Sequence, residues 1–156
     1  MNRETFAYNE EASVSMNNNG ACVRDYMIVN SPMIRCGTSI DEVISVFERS
    51  GMGGAPVVND NNAIVGFVSE HDCIKKLLHS SYYCDGIMHV NDVMHNEVLS
   101  VSPDMSIQEL AERMTKKQPK IYPVVEDGKL LGVITRGRVM QALATTIADC
   151  AQTGHA

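Results

Sequence analysis

The chain repeats itself, and this constrains the fold more than any other feature of the sequence. A shift of 67 positions lays Asp25-Tyr-Met27 on Asp92-Val-Met94, Ser39-Ile-Asp-Glu42 on Ser106-Ile-Gln-Glu109, and Pro56-Val-Val58 on Pro123-Val-Val125. One residue is then lost between the turns Asn59-Asp-Asn-Asn62 and Glu126-Asp-Gly128. After that Gly66 meets Gly132, Ser69 meets Thr135 and Leu77 meets Leu143. The pattern is a tandem duplication with one deletion in a turn. A copy of roughly fifty residues buries too little surface alone, so the two copies are expected to share a core.

Each copy reads as strand, helix, strand, strand, helix. Ser39-x-x-Glu42 and Ser106-x-x-Glu109 have the form of capping boxes, in which the serine oxygen accepts a helix N–H and the glutamate reaches back. Behind them Ile40, Val43, Ile44 and Phe47, and likewise Ile107, Leu110, Ala111 and Met114, recur at helical spacing. Gly51 supplies a stop. The apolar runs Ala55–Val58 and Ile121–Val125 each hold a proline, which suits a strand's start or edge better than its middle. The two turns lead into Ala63–Val68 and Leu130–Thr135, giving a hairpin in each copy. Ser69 and Thr135 then cap a second helix, with Ile74, Leu77 and Leu78, or Val139, Met140 and Leu143, expected to face inward.

The expected fold class is therefore α/β (α+β): two β-α-β-β-α repeats packed sheet to sheet with pseudo-two-fold symmetry. The expected divisions are a flexible arm over 1–20, repeats over 21–82 and 83–145, and a tail over 146–156. The ten methionines read as core filler.

Composition narrows the function. A net charge of −6 argues against a nucleic-acid partner. The one basic cluster, Arg113, Lys116, Lys117 and Lys120, reads as a solvated helix face. No apolar run approaches the ~20 residues of a membrane span. The N-terminus lacks the basic stretch and apolar core of a signal peptide, so the expected location is the cytoplasm. Five cysteines without a CxxC spacing suit thiols in a reducing compartment. His89, His95 and Cys84 match no usual zinc spacing, so no metal is expected. There is no GxSxG, HExxH, P-loop or GxGxxG signature. Ser69, His71 and Asp72 share one helix turn and cannot set an imidazole between the other two groups. The chain does not read as an enzyme.

These tandem copies, with a Pro-Val strand and a Gly-x-x-(Ser/Thr)-x-x-Asp strand-to-helix junction, resemble the cystathionine-β-synthase (CBS) domain family over about residues 21–145. A pair of such domains is a Bateman module. The resemblance implies clefts between the repeats that take an adenosine compound (AMP, ADP, ATP or S-adenosylmethionine) as ligand, with no required cofactor, and a homodimer. It implies Ser69 on ribose or phosphate, and Asp72 at a cleft rim accepting from both ribose hydroxyls. It also implies adenine held by Val98, Leu99, Ile121, Tyr122 and Pro123, with His71 and Lys120 as phosphate contacts. An ionised carboxylate has only acceptors, which suits a vicinal diol. The start of a helix at Ser69 suits a phosphate.

The second copy departs from the pattern at Arg138, since a guanidinium donates and never accepts. It would fill the ribose pocket or stretch toward a phosphate, so the pseudo-symmetric cleft of Ala55, Pro56, Thr135 and Arg138 is expected to be empty or weak. Each residue also has a plainer reading. Ser69 serves equally as a helix cap, Asp72 as a first-turn acid and His71 as a surface residue. The expected function is a regulatory or sensor module whose ligand alters its packing against itself or an unidentified target protein. The alternative is a ligand-free protein–protein interaction or dimerisation module. The homodimer is expected to cover helix faces carrying Ile44, Phe47, Met114 and Met140.

Overall fold

Ser39 and Ser106 each begin a helix by accepting a backbone N–H, from Glu42 at 3.3 Å and from Glu109 at 3.1 Å. The glutamates do not reach back as expected. Glu42 and Glu109 instead accept from Arg49 and Arg113 on the outer surface of their own helices, where a charged donor competes with the backbone. The computed structural model describes residues 20–83, 86, 88–116 and 119–153. The arm expected over 1–20 (Gly20 apart), Cys84 and Lys117 lie outside the described residues.

In chain order the elements are α1 (Val23–Tyr26), β1 (Ile34–Arg35), α2 (Ile40–Ser50), β2 (Gly54–Val58), β3 (Ile64–Ser69) and α3 (Glu70–Tyr83). A 3-10 turn (Val90–Asp92) follows, then α4 (Ile107–Met114), β4 (Ile121–Glu126), β5 (Lys129–Thr135) and α5 (Arg136–Thr153). The duplication is visible, with one correction. The first strand of the second copy shrinks to a single parallel bridge between Val101 and Val124. The last helix also runs on past residue 145, to Thr153.

The chain divides into two compact units that cut across the repeats. One comprises Ile28–Val101 and Ile121–Val133. It holds a sheet ordered β1-β2-β3, with β1 parallel and β3 antiparallel to β2, and β4 lies against β2. Its core gathers Ile34, Ile40, Val43, Phe47, Ala55, Val57, Val68, Cys73 and Val90. Gly51 ends α2 at φ 72, its N–H on the Phe47 carbonyl.

Pro56 sits in the middle of the central strand, contrary to the expectation of an edge. Phe67, opposite it, gives both its backbone groups to His95, so Pro56 and Phe67 form a pair with no ladder bonds between them. The missing N–H of Pro56 therefore faces the β1 side, and β1 begins only at Ile34, opposite Val57. No hydrogen bond is lost.

The other unit comprises Met1–Met27, Ser102–Lys120 and Ile134–Ala156. Its described part packs α5 against α1 and α4, burying Val23, Ile107, Leu110, Ile134, Val139 and Ala142.

The inward faces expected of the second helices are corrected. In α3 it is Cys73 that is buried, while Ile74, Leu77 and Leu78 are exposed. In α5 Val139 and Ala142 are buried, and Met140, Leu143 and Ile147 are exposed. Each helix has one narrow stripe on its own unit, and its other apolar residues point away from it. Phe47, expected on an outer face, belongs to the core.

Candidate functional site

The strand-to-helix junction at β3–α3 depends on Gly66. A Cβ there would lie 2.6 Å from Met94 Sδ and 2.9 Å from the His95 carbonyl oxygen, so only glycine lets the 94–95 segment press against β3. That segment pairs with Phe67 in both directions, at 2.9 and 2.8 Å. Gly132 meets the Ile28 backbone in the same way. The duplicated glycine is thus a close-approach residue, and in the first copy it brings His95 to the start of α3.

At that start Ser69 Oγ accepts the Asp72 N–H at 3.2 Å. Asp72 Oδ2 accepts in return from the Ser69 N–H at 3.1 Å and the Ser69 hydroxyl at 2.8 Å. This is a reciprocal capping box with aspartate in the glutamate's place. The second oxygen, Oδ1, lies 2.7 Å from His95 Nε2. An ionised carboxylate only accepts, so Nε2 is the donor. The Asp72 side chain is 10% exposed and that of His95 67%. Asp72, expected at a cleft rim, is nearly buried, and both its oxygens have protein partners, because the helix start and the neighbouring segment each supply donors.

The pair borders an open cavity of ≈320 Å3 lined also by Lys75, Lys76, His79, Asp92 and Val93. Next to Asp72 along α3, burial pushes the Cys73 thiol pKa up, and the charges of Asp72 and Glu70 push it further.

The other predicted residues fall as follows. His71 is exposed on α3. Val98 is half-buried and Leu99 exposed, in a segment carried alongside β4 because Val101 N–H donates to the Pro123 carbonyl and Val125 N–H to the Val101 carbonyl. Of the three predicted β4 residues, Ile121 is half-buried, Pro123 buried and Tyr122 only 1% exposed, so among these Ile121 alone offers substantial side-chain surface. All of these lie in the same unit as Ser69 and Asp72. Lys120 is exposed and belongs to the other unit.

Ala55 and Pro56 are buried within β2. Thr135 Oγ1 accepts the Arg138 N–H at 3.2 Å, which repeats the cap of the first copy. The Arg138 guanidinium donates to the Tyr26 carbonyl at 3.1 Å, within its own unit. Among the described residues no group of three His, Cys, Asp or Glu side chains is placed to hold a metal. His95 is the residue that sequence reasoning missed, having been weighed only as a zinc ligand. Its signal was in the repeat: it aligns with Ile28, and both bridge to the strand before the Ser/Thr junction.

Comparison with known proteins agrees with this architecture. The CBS domain family matches residues 23–79 and 90–145. The chain is 31% identical over 134 residues to the MJ1225 protein of Methanocaldococcus jannaschii, covering 85% of this chain and 47% of that protein. It is 30% identical over 121 residues to the A-adding tRNA nucleotidyltransferase of Aquifex aeolicus, covering 78% of this chain but 14% of the enzyme. The chain thus spans about half, or much less, of these relatives. Among solved structures, CBSX2 in complex with AMP superposes with a TM-score of 0.70 at 29% identity, covering 81% of this chain and 98% of that one.

Proposed function

The chain belongs to the CBS domain family, and we propose on that premise that it is a non-enzymatic, cytoplasmic regulatory module binding one adenosine-type ligand at the Asp72 side of its repeat pair. The observation that carries this reading is the Ser69–Asp72 capping box, which fixes an acceptor-only carboxylate at a helix start beside a cavity. A carboxylate so held suits a ribose diol, and the helix start suits a phosphate. The likeness to CBSX2, solved with AMP, supports the ligand class. On this reading Val98, Leu99 and Ile121 offer side-chain surface to the adenine beside the buried Tyr122 and Pro123, and His71 serves the phosphates. Arg138 leaves the second cleft without a diol acceptor. AMP, ADP, ATP and S-adenosylmethionine are the ligands to titrate, and a ligand at a hundred times its Kd adds ~2.7 kcal/mol of stability.

The exposed apolar faces favour a second, compatible reading. On α3, Ile74, Leu77, Leu78, Tyr82 and Tyr83 lie open to solvent, with Tyr82 78% exposed. On α5, Met140, Leu143 and Ile147 do the same. Such faces suit a homodimer, the commonest closed assembly, or a target protein. No helix among the described residues is long and apolar enough to cross a membrane. If none of the four ligands shifts the melting temperature, the adenosine reading falls and the interaction module remains.

A further inference from the structure

We propose that His95 is a built-in competitor for the ligand's ribose: its imidazole holds the Asp72 oxygen that a cis-diol needs, and the ligand binds by displacing it. The proposal rests on the adenosine reading of the Asp72 site and adds a residue outside that site's predicted set. An incoming diol needs a carboxylate oxygen that is not already taken by the protein's own donors. Oδ2 is already fixed by Ser69 at 2.8 and 3.1 Å, and the remaining face of the carboxylate, at Oδ1, is closed by His95 Nε2 at 2.7 Å. With the Asp72 side chain only 10% exposed, the imidazole and a diol compete for the same small opening at Oδ1.

The ring is placed to leave. Its side chain is 67% exposed, whereas its backbone is pinned to Phe67 in both directions, so a side-chain rotation releases Oδ1 without moving the main chain. The duplication gives an internal comparison. At the positions matching His95 and Asp72 the chain carries Ile28 and Arg138. Where the carboxylate is absent, so is the imidazole.

Affinity is therefore set by a competition between one histidine and one diol. His95→Ala removes the competitor and leaves Asp72 and its cap in place. Because the histidine is largely exposed, its hold is that of a solvent-screened pair, and AMP should bind about two- to fivefold more tightly. 2′,3′-Dideoxy-AMP cannot engage Asp72 and so need not displace the ring, and its affinity should not change.

The experiment is calorimetric titration of AMP and 2′,3′-dideoxy-AMP into the parent, His95→Ala and Asp72→Ala. It is paired with the His95 ring proton resonances of the parent, followed as each ligand is added. Tighter AMP binding by His95→Ala, with dideoxy-AMP unchanged and the ring resonances moving only with AMP, supports the latch. Equal AMP affinity in parent and His95→Ala, with loss in Asp72→Ala, overturns the latch and leaves the adenosine site standing. Weaker AMP binding by His95→Ala makes His95 a ligand contact and also overturns it. Absence of binding by all three proteins removes the adenosine reading and the latch together.

Discussion

Replacing Asp72 by alanine should cost stability before any ligand is added. The substitution removes the acceptor of the Ser69 N–H and Ser69 hydroxyl, at 3.1 and 2.8 Å, and the acceptor of His95 Nε2 at 2.7 Å. The first two bonds lie at a site where the carboxylate is 10% exposed, so water replaces them poorly. Losing hydrogen bonds to a charged group there is worth about 1.5–3 kcal/mol. The His95 contact adds less than about 1 kcal/mol, because that side chain is mostly in solvent.

For a chain of this length each kcal/mol lowers Tm by about 2–4 °C, so a total of about 1.5–4 kcal/mol predicts a drop of roughly 3–16 °C. Urea unfolding followed by circular dichroism should show the midpoint falling with an unchanged slope. Ser69→Ala should cost about 1 kcal/mol as a lost cap. The double variant should cost less than the sum, since the two residues share the same bonds. A loss below about 0.5 kcal/mol in Asp72→Ala, or strict additivity with Ser69→Ala, would refute the claim that the carboxylate is built into the helix start.

Other outcomes follow from the same geometry. Gly66→Ala should lower stability by about 1–3 kcal/mol, because its Cβ meets Met94 and the His95 carbonyl, and Gly132→Ala should cost at least as much against the Ile28 backbone. Thermal melts check both. In light scattering the parent should run as a homodimer at micromolar concentration, and Leu78→Asp on the exposed face of α3 should shift it toward monomer if that face is the interface. The Cys73 thiol, with its pKa pushed up by burial, Asp72 and Glu70, should alkylate far more slowly than exposed Cys36 and Cys150. A thiol pKa raised in the folded state adds stability below the ordinary thiol range, and this contribution is lost as pH rises through the shifted value. Mass-spectrometric mapping of alkylation sites against pH checks both points.

The duplication made the element order legible, because capping residues, turn residues and the paired glycines recur at a fixed shift. Ser69 and Thr135 stand where the pattern put them. What the sequence hid was set by neighbours distant along the chain. The first strand of the second copy is only a bridge at Val101, and no local propensity marks where a partner stops pairing. Pro56 occupies a central strand because β1 begins too late to need its N–H. Ile74, Leu77, Leu78, Met140 and Leu143 have the spacing of a buried stripe, yet periodicity states that a face is apolar and not what covers it. Asp72 was read for a ligand role or as a first-turn acid, and its partner at His95, 23 positions away, is visible in neither motif.

One adenosine ligand per chain is proposed, held at Asp72, with Arg138 unable to accept from a diol. The decisive measurement is calorimetric titration of the parent, Asp72→Ala and Arg138→Asp with AMP. The expected results are a stoichiometry of one in the parent, loss of that binding in Asp72→Ala under conditions where the variant remains folded, and a second, weaker site in Arg138→Asp. Two equal sites in the parent, or binding that survives Asp72→Ala undiminished, would contradict the proposal.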